Sequence, residues 1–189
     1  MDLNIISKIF PISANKHLLA YDEEGLYSIT LPNEANEISD IISGLLGNNI
    51  TICDGTAGIG GNTLSFSKKF KKVVSIELCK SRFNLLTNNI NAYDLKNVDL
   101  INGTCLEYLN ADCAAFFLDP PWGGPEYKIK ESITFKLGDM KLIDVIKKIK
   151  TYGQKIIFLK LPNNYNLNEF SEYNYNINKI KKYQLITIF

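Results

Sequence analysis

The chain has 189 residues, of which 46% are hydrophobic and 22% are charged. This balance predicts one globular domain with a full hydrophobic core and excludes a largely disordered chain. The formal net charge is +1, which excludes an overall basic field of the kind that holds nucleic acid without specificity. Any nucleic acid would therefore have to bind at a local site.

Cysteine and histidine usage argues against a metal site. The four cysteines, Cys53, Cys79, Cys105 and Cys113, form no C-x-x-C pair, and the single histidine, His17, has no cluster of ligands beside it.

We recognise no signal peptide in the first ten residues, and no apolar run approaches the roughly 18 residues of a membrane span. We therefore expect an intracellular protein of the nucleus or cytoplasm with reduced cysteines. The abundance of Asn, Ile and Lys is typical of an AT-rich genome, such as that of a parasite or a large virus.

Taken in chain order, the sequence predicts an irregular segment before residue 33, with a turn at Asp22 to Gly25. Apolar residues at helical spacing, with Gly47 as a stop, then predict the first helix. Short apolar runs and helical patterns alternate from there onward. The predicted helices are 33–46, 62–70, 81–92 and 139–151, and the predicted strands are 50–53, 73–76, 98–101, 114–118 and 155–161, with one or two more in the last fifteen residues. This alternation predicts an α/β fold with a mostly parallel sheet covered by helices on both faces.

Acidic residues stand at the ends of three predicted strands: Asp54, Glu77 and Asp119. In parallel sheets, ligands bind beyond the carboxyl ends of the strands. We therefore expect these three carboxylates to line one crevice.

A glycine-rich loop, from Asp54 to Thr63, follows the first predicted strand. Its spacing is G-x-x-G-x-G, whereas a dinucleotide-binding loop has G-x-G-x-x-G. Glycines let the backbone turn sharply and approach a ligand, and the next helix offers free amide groups. The pattern resembles the nucleoside-methionine loop of class I methyltransferases, and the alternative is a tight turn without a ligand. The residues predicted to bind the methyl donor here are Asp54, Gly55, Thr56, Ala57, Gly58, Gly60, Asn62 and Thr63.

Two later strand ends complete the predicted donor site. Glu77 can accept hydrogen bonds from both hydroxyls of a ribose, although on its own it would be an ordinary solvated strand terminus. Leu78 beside it is also predicted to contact the donor. After the third strand, Thr104 and Cys105 stand where many methyltransferases have an acidic residue that holds the adenine amine, and Glu107 follows slightly further on.

The segment from Asp119 to Trp122 carries the sharpest chemical signal. Asp, Asn or Ser followed by Pro-Pro and an aromatic residue is typical of methyltransferases that act on planar amino groups. A ring-conjugated amine is a poor nucleophile, so acceptors such as the Asp119 carboxylate and the Pro120 carbonyl must orient its lone pair. Trp122 offers a face on which a base stacks. We therefore predict that Asp119, Pro120 and Trp122 are catalytic, with Asp119 also near the donor. The alternative is a rigid proline turn with one buried indole.

The run from Pro120 to Tyr127 closely resembles the P-P-W-G-G-P-[DE]-Y signature of trimethylguanosine synthases. The glycine loop from Gly58 to Thr63 is similar to the family's G-[VI]-G-G-N-T, and the run from Glu24 to Thr30 looks like its E-G-[WF]-[FY]-S-[VI]-T. Those enzymes methylate the 2-amino group of 7-methylguanosine RNA caps. The resemblance implies a Rossmann-like class I methyltransferase with a seven-stranded sheet. Residues 1–32 would be an extension that folds over the active site, and residues 33–189 the methyltransferase domain.

The resemblance also implies S-adenosyl-L-methionine as cofactor and 7-methylguanosine-capped RNA as substrate, without metal or membrane. A 7-methylated guanine carries a positive ring, so stacking on Trp122 would gain roughly 0.5–2 kcal/mol from a cation–π interaction. Ser28 and Thr30 would contact the guanosine or the donor. The substrate-binding residues implied in this way are Ser28, Thr30, Asp54, Pro121, Trp122, Gly123, Pro125, Tyr127, Lys160 and Asn163.

Three features depart from the family pattern. Asp119 stands where the family usually has Ser, as in enzymes that methylate adenine amines. The family's P-R-N is Pro162-Asn163-Asn164 here, which removes an arginine suited to cap phosphates, and Lys160 would substitute for it as a point charge. The segment before residue 22 is short, which predicts either weak affinity for the cap or a protein partner that completes the cap site.

Three functions stay open on the sequence alone. The first is transfer of a methyl group to the 2-amino group of a 7-methylguanosine cap. The second is methylation of the 6-amino group of adenine in RNA or DNA, which Asp119 favours. The third is a cap-binding accessory subunit without turnover, which the missing arginine and the short N-terminal segment favour.

Overall fold

The computed structural model describes residues 2–13 and 15–189, apart from the side chain of Pro125. The chain divides into two compact units, Met1–Cys105 and Leu106–Phe189. The separate expectation that residues 1–32 form an extension to a methyltransferase domain stays a prediction.

The strands of the described residues include seven that form a mostly parallel sheet, which confirms the predicted α/β fold. In the first unit the strand order is β3-β2-β1, and both pairs are parallel. In the second unit the order is β4-β7-β9-β8, in which β4 and β7 are parallel and the other pairs are antiparallel. The strands of this sheet are β1 Thr51–Asp54, β2 Lys72–Glu77, β3 Val98–Asn102, β4 Ala115–Leu118, β7 Ile156–Pro162, β8 Tyr175–Ile180 and β9 Tyr183–Ile188; a separate hairpin pairs β5 Lys136–Leu137 with β6 Met140–Lys141.

Local sequence accounts for the ends of the helices. The third helix has Pro32 in its first turn, where a missing N–H costs nothing, and ends at Gly47 with φ of 73°. Its residues Ile38 and Ile42, one turn apart, are buried. The helices are α1 Leu3–Ile9, α2 Glu23–Ser28, α3 Pro32–Leu46, α4 Gly61–Lys69, α5 Lys80–Ala92 and α6 Leu142–Thr151, and short 3₁₀ helices cover Lys16–Leu18, Cys105–Glu107, Pro125–Ile129 and Leu167–Phe170. No helix in the described ranges has the length and apolarity needed to cross a membrane.

The prediction of an irregular segment before residue 33 is wrong, because this segment contains α1 and α2. Ile6 and Ile9 of α1 are buried in the core of the first unit. Asp22 is the N-cap of α2 and not part of a turn, since its side chain accepts a hydrogen bond from the Gly25 N–H at 2.7 Å. An acidic run before a glycine suits either structure, and here packing selected the helix.

The predicted start of the last helix at residue 139 is also wrong. α6 begins at Leu142, and the residues just before it belong to the hairpin of β5 and β6. Gly138, with φ of 57°, lies in the turn of this hairpin. The Leu142 N–H donates to the Phe135 carbonyl at 3.0 Å, which ties the first residue of α6 to the segment that enters the hairpin.

The core of the first unit joins the N-terminal segment to the elements around the glycine-rich loop. Ile9 and Leu19 pack in one buried cluster with Ile59 of the loop, Leu64 of α4 and Leu86 of α5. Apolar burial therefore supports the position of the loop from the side of the N-terminal segment.

Candidate active site

The glycine-rich loop of the first unit connects the end of β1 to the start of α4. Gly58 and Gly60 have φ of 57° and 108°, which are left-handed values that favour glycine. A Cβ built on Gly58 would meet no described atom within 4 Å, so the backbone is open to a ligand there. The Ala57 N–H donates to the Ile76 carbonyl of β2 at 2.9 Å and fixes the loop. Of the other predicted donor contacts in the loop, Gly55 is buried and Thr56 is half-buried.

The carboxylate of Glu77 is buried and held by backbone amides. Its Oε2 accepts a hydrogen bond from the Gly58 N–H at 2.9 Å, and its Oε1 accepts one from the Cys79 N–H at 2.8 Å. Arg82 Nε lies 3.4 Å from Oε1, and the same guanidinium pairs with Glu24 of α2. Glu77 is therefore a fixed anion against the loop. Sequence reasoning missed Arg82, because a single arginine within a helical pattern carries no local signal of a partner.

Asp54 at the end of β1 is fully buried beneath the loop. Thr63 Oγ1 donates to Asp54 Oδ2 at 2.7 Å and lies 3.0 Å from Ser75 Oγ of β2. A hydroxyl has one proton to donate, so Ser75 must be the donor to Thr63. This chain of hydrogen bonds fixes the orientation of Asp54.

Thr30 is hydrogen-bonded to the glycine-rich loop, whereas the Ser28 hydroxyl bonds to a carbonyl of its own helix. Asn62 Nδ2 donates to Thr30 Oγ1 at 2.9 Å. A Cβ on Gly61 would lie 2.6 Å from the Thr30 carbonyl oxygen, so a glycine is required for this close approach. Ser28 is exposed at the end of α2, and its hydroxyl donates to the Glu24 carbonyl at 2.8 Å.

The residues predicted to contact the adenine follow β3. Cys105 is buried, and this burial raises the pKa of its thiol to about 12, so the thiol is neutral. Thr104 is half-buried. Asn102 Nδ2 donates to the Glu77 carbonyl at 2.9 Å and connects the ends of β2 and β3. Leu78 leaves 67% of its surface exposed, so an apolar side chain is presented next to Glu77.

This set of groups fits S-adenosylmethionine. The fixed carboxylate of Glu77 can accept hydrogen bonds from the two hydroxyls of a ribose, and the exposed Leu78 can pack against a planar base. The open side of Gly58 leaves room for the rest of the molecule. No cluster of three or more His, Cys, Asp or Glu side chains in the described part of the chain could hold a metal ion.

In the second unit, Asp119 follows β4 and pairs with Lys160 of β7. Lys160 Nζ lies 2.7 Å from Asp119 Oδ2, and the two side chains are only 7% and 15% exposed. Burial raises the pKa of Asp119 above its ordinary 3.8, and the Lys160 ammonium opposes this shift. The predicted role of Lys160 as a contact to cap phosphates stays a prediction, but its ammonium lies beside Asp119 and not on the surface. The expectation that Asp119 shares one crevice with the carboxylates of the first unit also stays a prediction.

The indole of Trp122 is packed by three side chains. The Tyr127 ring meets it edge-on with centroids 5.1 Å apart, and the Tyr183 ring is tilted at 6.4 Å. Lys160 Nζ lies over Trp122 at 5.3 Å and over Tyr183 at 4.9 Å. These contacts fix the plane of the indole. Sequence reasoning missed Tyr183, because nothing local connects a residue of the last strand with the Pro-Pro-Trp segment.

The Pro162-Asn163-Asn164 segment, which begins at the last residue of β7, supports the loop that carries Tyr127. Asn164 Nδ2 donates to the carbonyls of Tyr127 and Lys130, both at 2.7 Å. Asn163 is exposed, and its Nδ2 donates to the Lys181 carbonyl at 3.5 Å. Of the remaining predicted residues, Pro120 is buried, Pro121 and Gly123 are exposed, and the side chain of Pro125 lies outside what the structure describes.

The fold is that of a Rossmann-like methyltransferase, with the glycine-rich loop between β1 and α4. Among solved structures, the 16S rRNA N2 methyltransferase of T. thermophilus, in complex with AdoMet and guanosine, superimposes with a TM-score of 0.65. It is 16% identical, and the match covers 89% of this chain and 43% of that one.

The chain belongs to the RNA cap guanine-N2 methyltransferase family, whose model matches residues 48–188. It is 32% identical to an uncharacterized protein of Acanthamoeba polyphaga mimivirus, over 95% of this chain and 83% of the relative. It is 29% identical to the trimethylguanosine synthase of Schizosaccharomyces pombe, over 80% of this chain and 66% of that enzyme. The predicted resemblance to trimethylguanosine synthases is therefore confirmed, and family and fold make this protein a methyltransferase.

Proposed function

We propose that this protein transfers a methyl group from S-adenosylmethionine to the 2-amino group of a 7-methylguanosine RNA cap. The observation that carries the proposal is the fixed indole of Trp122, which lies three residues after Asp119 and has the Nζ of Lys160, the ion-pair partner of Asp119, 5.3 Å from its ring centroid. A stacking surface next to a carboxylate can hold a purine in its plane while the carboxylate accepts from the purine's amine. Membership of the cap guanine-N2 family supports the cap as the source of this purine.

The first unit would hold the donor. Glu77 would accept hydrogen bonds from the two ribose hydroxyls. Its Oε2 has a second lone pair beside the Gly58 amide, and its Oε1 would exchange the long 3.4 Å contact with Arg82 for a hydroxyl. Leu78 would cover the adenine, and Thr104 and Cys105 would line its edge. Asp54 would lie beneath the methionine part, held by Thr63. When bound, S-adenosylmethionine supplies an electrophilic methyl group.

The second unit would prepare the amine. Asp119 and the Pro120 carbonyl would accept its hydrogens and thereby direct its lone pair toward the methyl group. Asp119 or water would take the proton that is released. Trp122 would stack on the base, and a positively charged 7-methylguanine would gain roughly 0.5–2 kcal/mol from the indole face. The Lys160 charge is balanced by Asp119, so the pair leaves the attraction between the ring and the cationic base in place.

The test compares acceptors with one labelled donor. We expect transfer to 7-methylguanosine triphosphate and none to unmethylated guanosine triphosphate, and mass analysis of the product would place the methyl group on the 2-amino nitrogen. Calorimetry should detect S-adenosylmethionine binding. Retained cap binding without donor binding would instead identify an accessory subunit and refute the proposal.

Methylation of the adenine 6-amino group is the second candidate, because Asp119 occupies the place where the cap family usually has Ser. A carboxylate can accept from either purine amine, so this residue does not select guanine. An adenine-containing oligonucleotide therefore belongs in the same assay. Transfer to it, with no transfer to the cap analogue, would replace the first candidate with this one.

A further inference from the structure

The turn between β8 and β9 carries a concentration of positive charge that the proposed reaction does not use. Lys179, Lys181 and Lys182, here called the hairpin tip, are all exposed. No acidic residue occurs from residue 173 to the C-terminus, so nothing on these two strands offsets the three charges.

Strand pairing places the hairpin tip at the carboxyl end of β7. Tyr183, the first residue of β9, pairs with Pro162, the last residue of β7. The Lys181 carbonyl accepts a hydrogen bond from Asn163 Nδ2 at 3.5 Å. Tyr183 also packs against Trp122, with ring centroids 6.4 Å apart. The tip is therefore next to the residues that would bind the base.

The backbone of the tip is unfavourable for a lysine. Lys181 has φ of 47°, in a two-residue turn between the paired residues Ile180 and Tyr183. Such turns favour Gly or Asn at positive φ, and another residue there costs free energy. Residues with a strained backbone occur more often at functional sites than elsewhere. The turn therefore places a lysine where Gly or Asn would fit at a lower cost in free energy.

The other lysines near this end of β7 form a weaker candidate. Lys128 and Lys130 are exposed on the loop that Asn164 supports, but Glu126 and Glu131 on the same loop are exposed as well. The two acidic residues balance the two lysines. The hairpin tip is therefore the stronger local site for an anion.

We propose that the hairpin tip binds the phosphates of the RNA chain that follows the cap. The proposal rests on the proposed function, which makes capped RNA the substrate. Single-stranded RNA presents one phosphate per nucleotide, and lysines bind phosphates as point charges without reading the sequence. The tip adds affinity for RNA that a free cap analogue cannot use.

The test removes two charges of the tip without straining its turn. Asn tolerates the backbone of Lys181, so the variant is Lys181→Asn with Lys182→Gln in the full chain. The control is Lys147→Gln with Lys148→Gln, which removes the same charge from the exposed side of α6. Fluorescence anisotropy measures affinity for a capped ten-nucleotide RNA and the same RNA uncapped, without donor. Competition with 7-methylguanosine triphosphate measures the affinity for the cap alone.

We expect the tip variant to lose two phosphate contacts, each of which contributes about 0.7 to the slope of log affinity against log salt. If the two proteins bind equally at 1 M salt, where such contacts contribute little, the variant binds both RNAs roughly 25-fold more weakly at 0.1 M salt. That slope should fall by about 1.4 in total, and the control variant should change neither quantity by as much. An equal loss in the control variant, no loss in the tip variant, or an equal loss for 7-methylguanosine triphosphate would overturn the proposal. Wild-type protein that binds RNA through the tip but fails to methylate the cap analogue would refute the proposed function alone.

Discussion

Replacing Lys160 with Met removes the partner of a buried carboxylate while it keeps most of the side-chain volume. In the wild type, Lys160 Nζ lies 2.7 Å from Asp119 Oδ2, and the side chains are 7% and 15% exposed. Breaking a buried ion pair by removing one partner costs about 3–5 kcal/mol, because a charge is left without compensation. Since Asp119 retains some exposure, we expect a loss near the lower end, about 3 kcal/mol at neutral pH. For a chain of this length that loss lowers Tm by roughly 6–12 °C.

The loss should depend on pH. Burial raises the pKa of Asp119, and the Lys160 charge opposes that shift, so the pKa rises further in Lys160→Met. A carboxyl whose pKa is higher in the folded than in the unfolded state stabilises the fold below the unfolded pKa, and this stabilisation is lost as pH rises through the folded pKa. The variant should therefore be closest to wild type at pH 5 and should lose stability toward pH 8.

Urea unfolding of wild type and variant at several pH values measures this difference. Lys155→Met is the matched control, because Lys155 is also a buried lysine of the second unit but donates to the Ala111 carbonyl, which does not titrate. Its penalty should be the same at pH 5 and pH 8. A penalty for Lys160→Met that is equally independent of pH would refute the reasoning, since the charge of Asp119 would then have no part in it.

Three other predictions concern single residues. Trp122→Ala should abolish methylation of the cap analogue while donor affinity measured by calorimetry stays nearly intact, and Trp122→Phe should keep part of the activity; an equal loss of donor affinity would make Trp122 structural. Gly61→Ala should destabilise by about 1–3 kcal/mol in urea unfolding, because its Cβ would lie 2.6 Å from the Thr30 carbonyl oxygen, whereas Gly44→Ala, in open space on α3, should stabilise by up to about 1 kcal/mol. Cys79 should react first with iodoacetamide, since hydrogen bonds from a serine hydroxyl and a backbone amide lower the pKa of its thiol; faster labelling of a buried cysteine, read by mass spectrometry, would contradict this.

The sequence by itself determined the chain order of the α-helices and of the seven strands of the large sheet from β1 onward, the glycine-rich loop and the place of Asp119 after β4. These are local features: apolar periodicity, glycines that permit left-handed backbone, and carboxylates where an apolar run stops. The same local reading failed before residue 33 and at the start of α6. There, Asp22 and Gly138 occupy positions whose residue types suit more than one local structure. Asp22 caps α2, in an N-terminal segment that packs into the core of the first unit, and Gly138 takes the positive φ of a hairpin turn.

Only the tertiary structure decided which distant residues meet. Lys160 lies 41 positions from Asp119 in the chain and yet pairs with it, because β4 and β7 are parallel neighbours in which Leu118 pairs with Leu159, the residue before Lys160. Tyr183 reaches Trp122, and the hairpin tip reaches Asn163, because β9 returns antiparallel along β7. The sequence of residue types identifies which chemical groups are present, but it does not determine which strands become neighbours. The strand neighbours decide which charged groups form ion pairs and which aromatic rings come into contact.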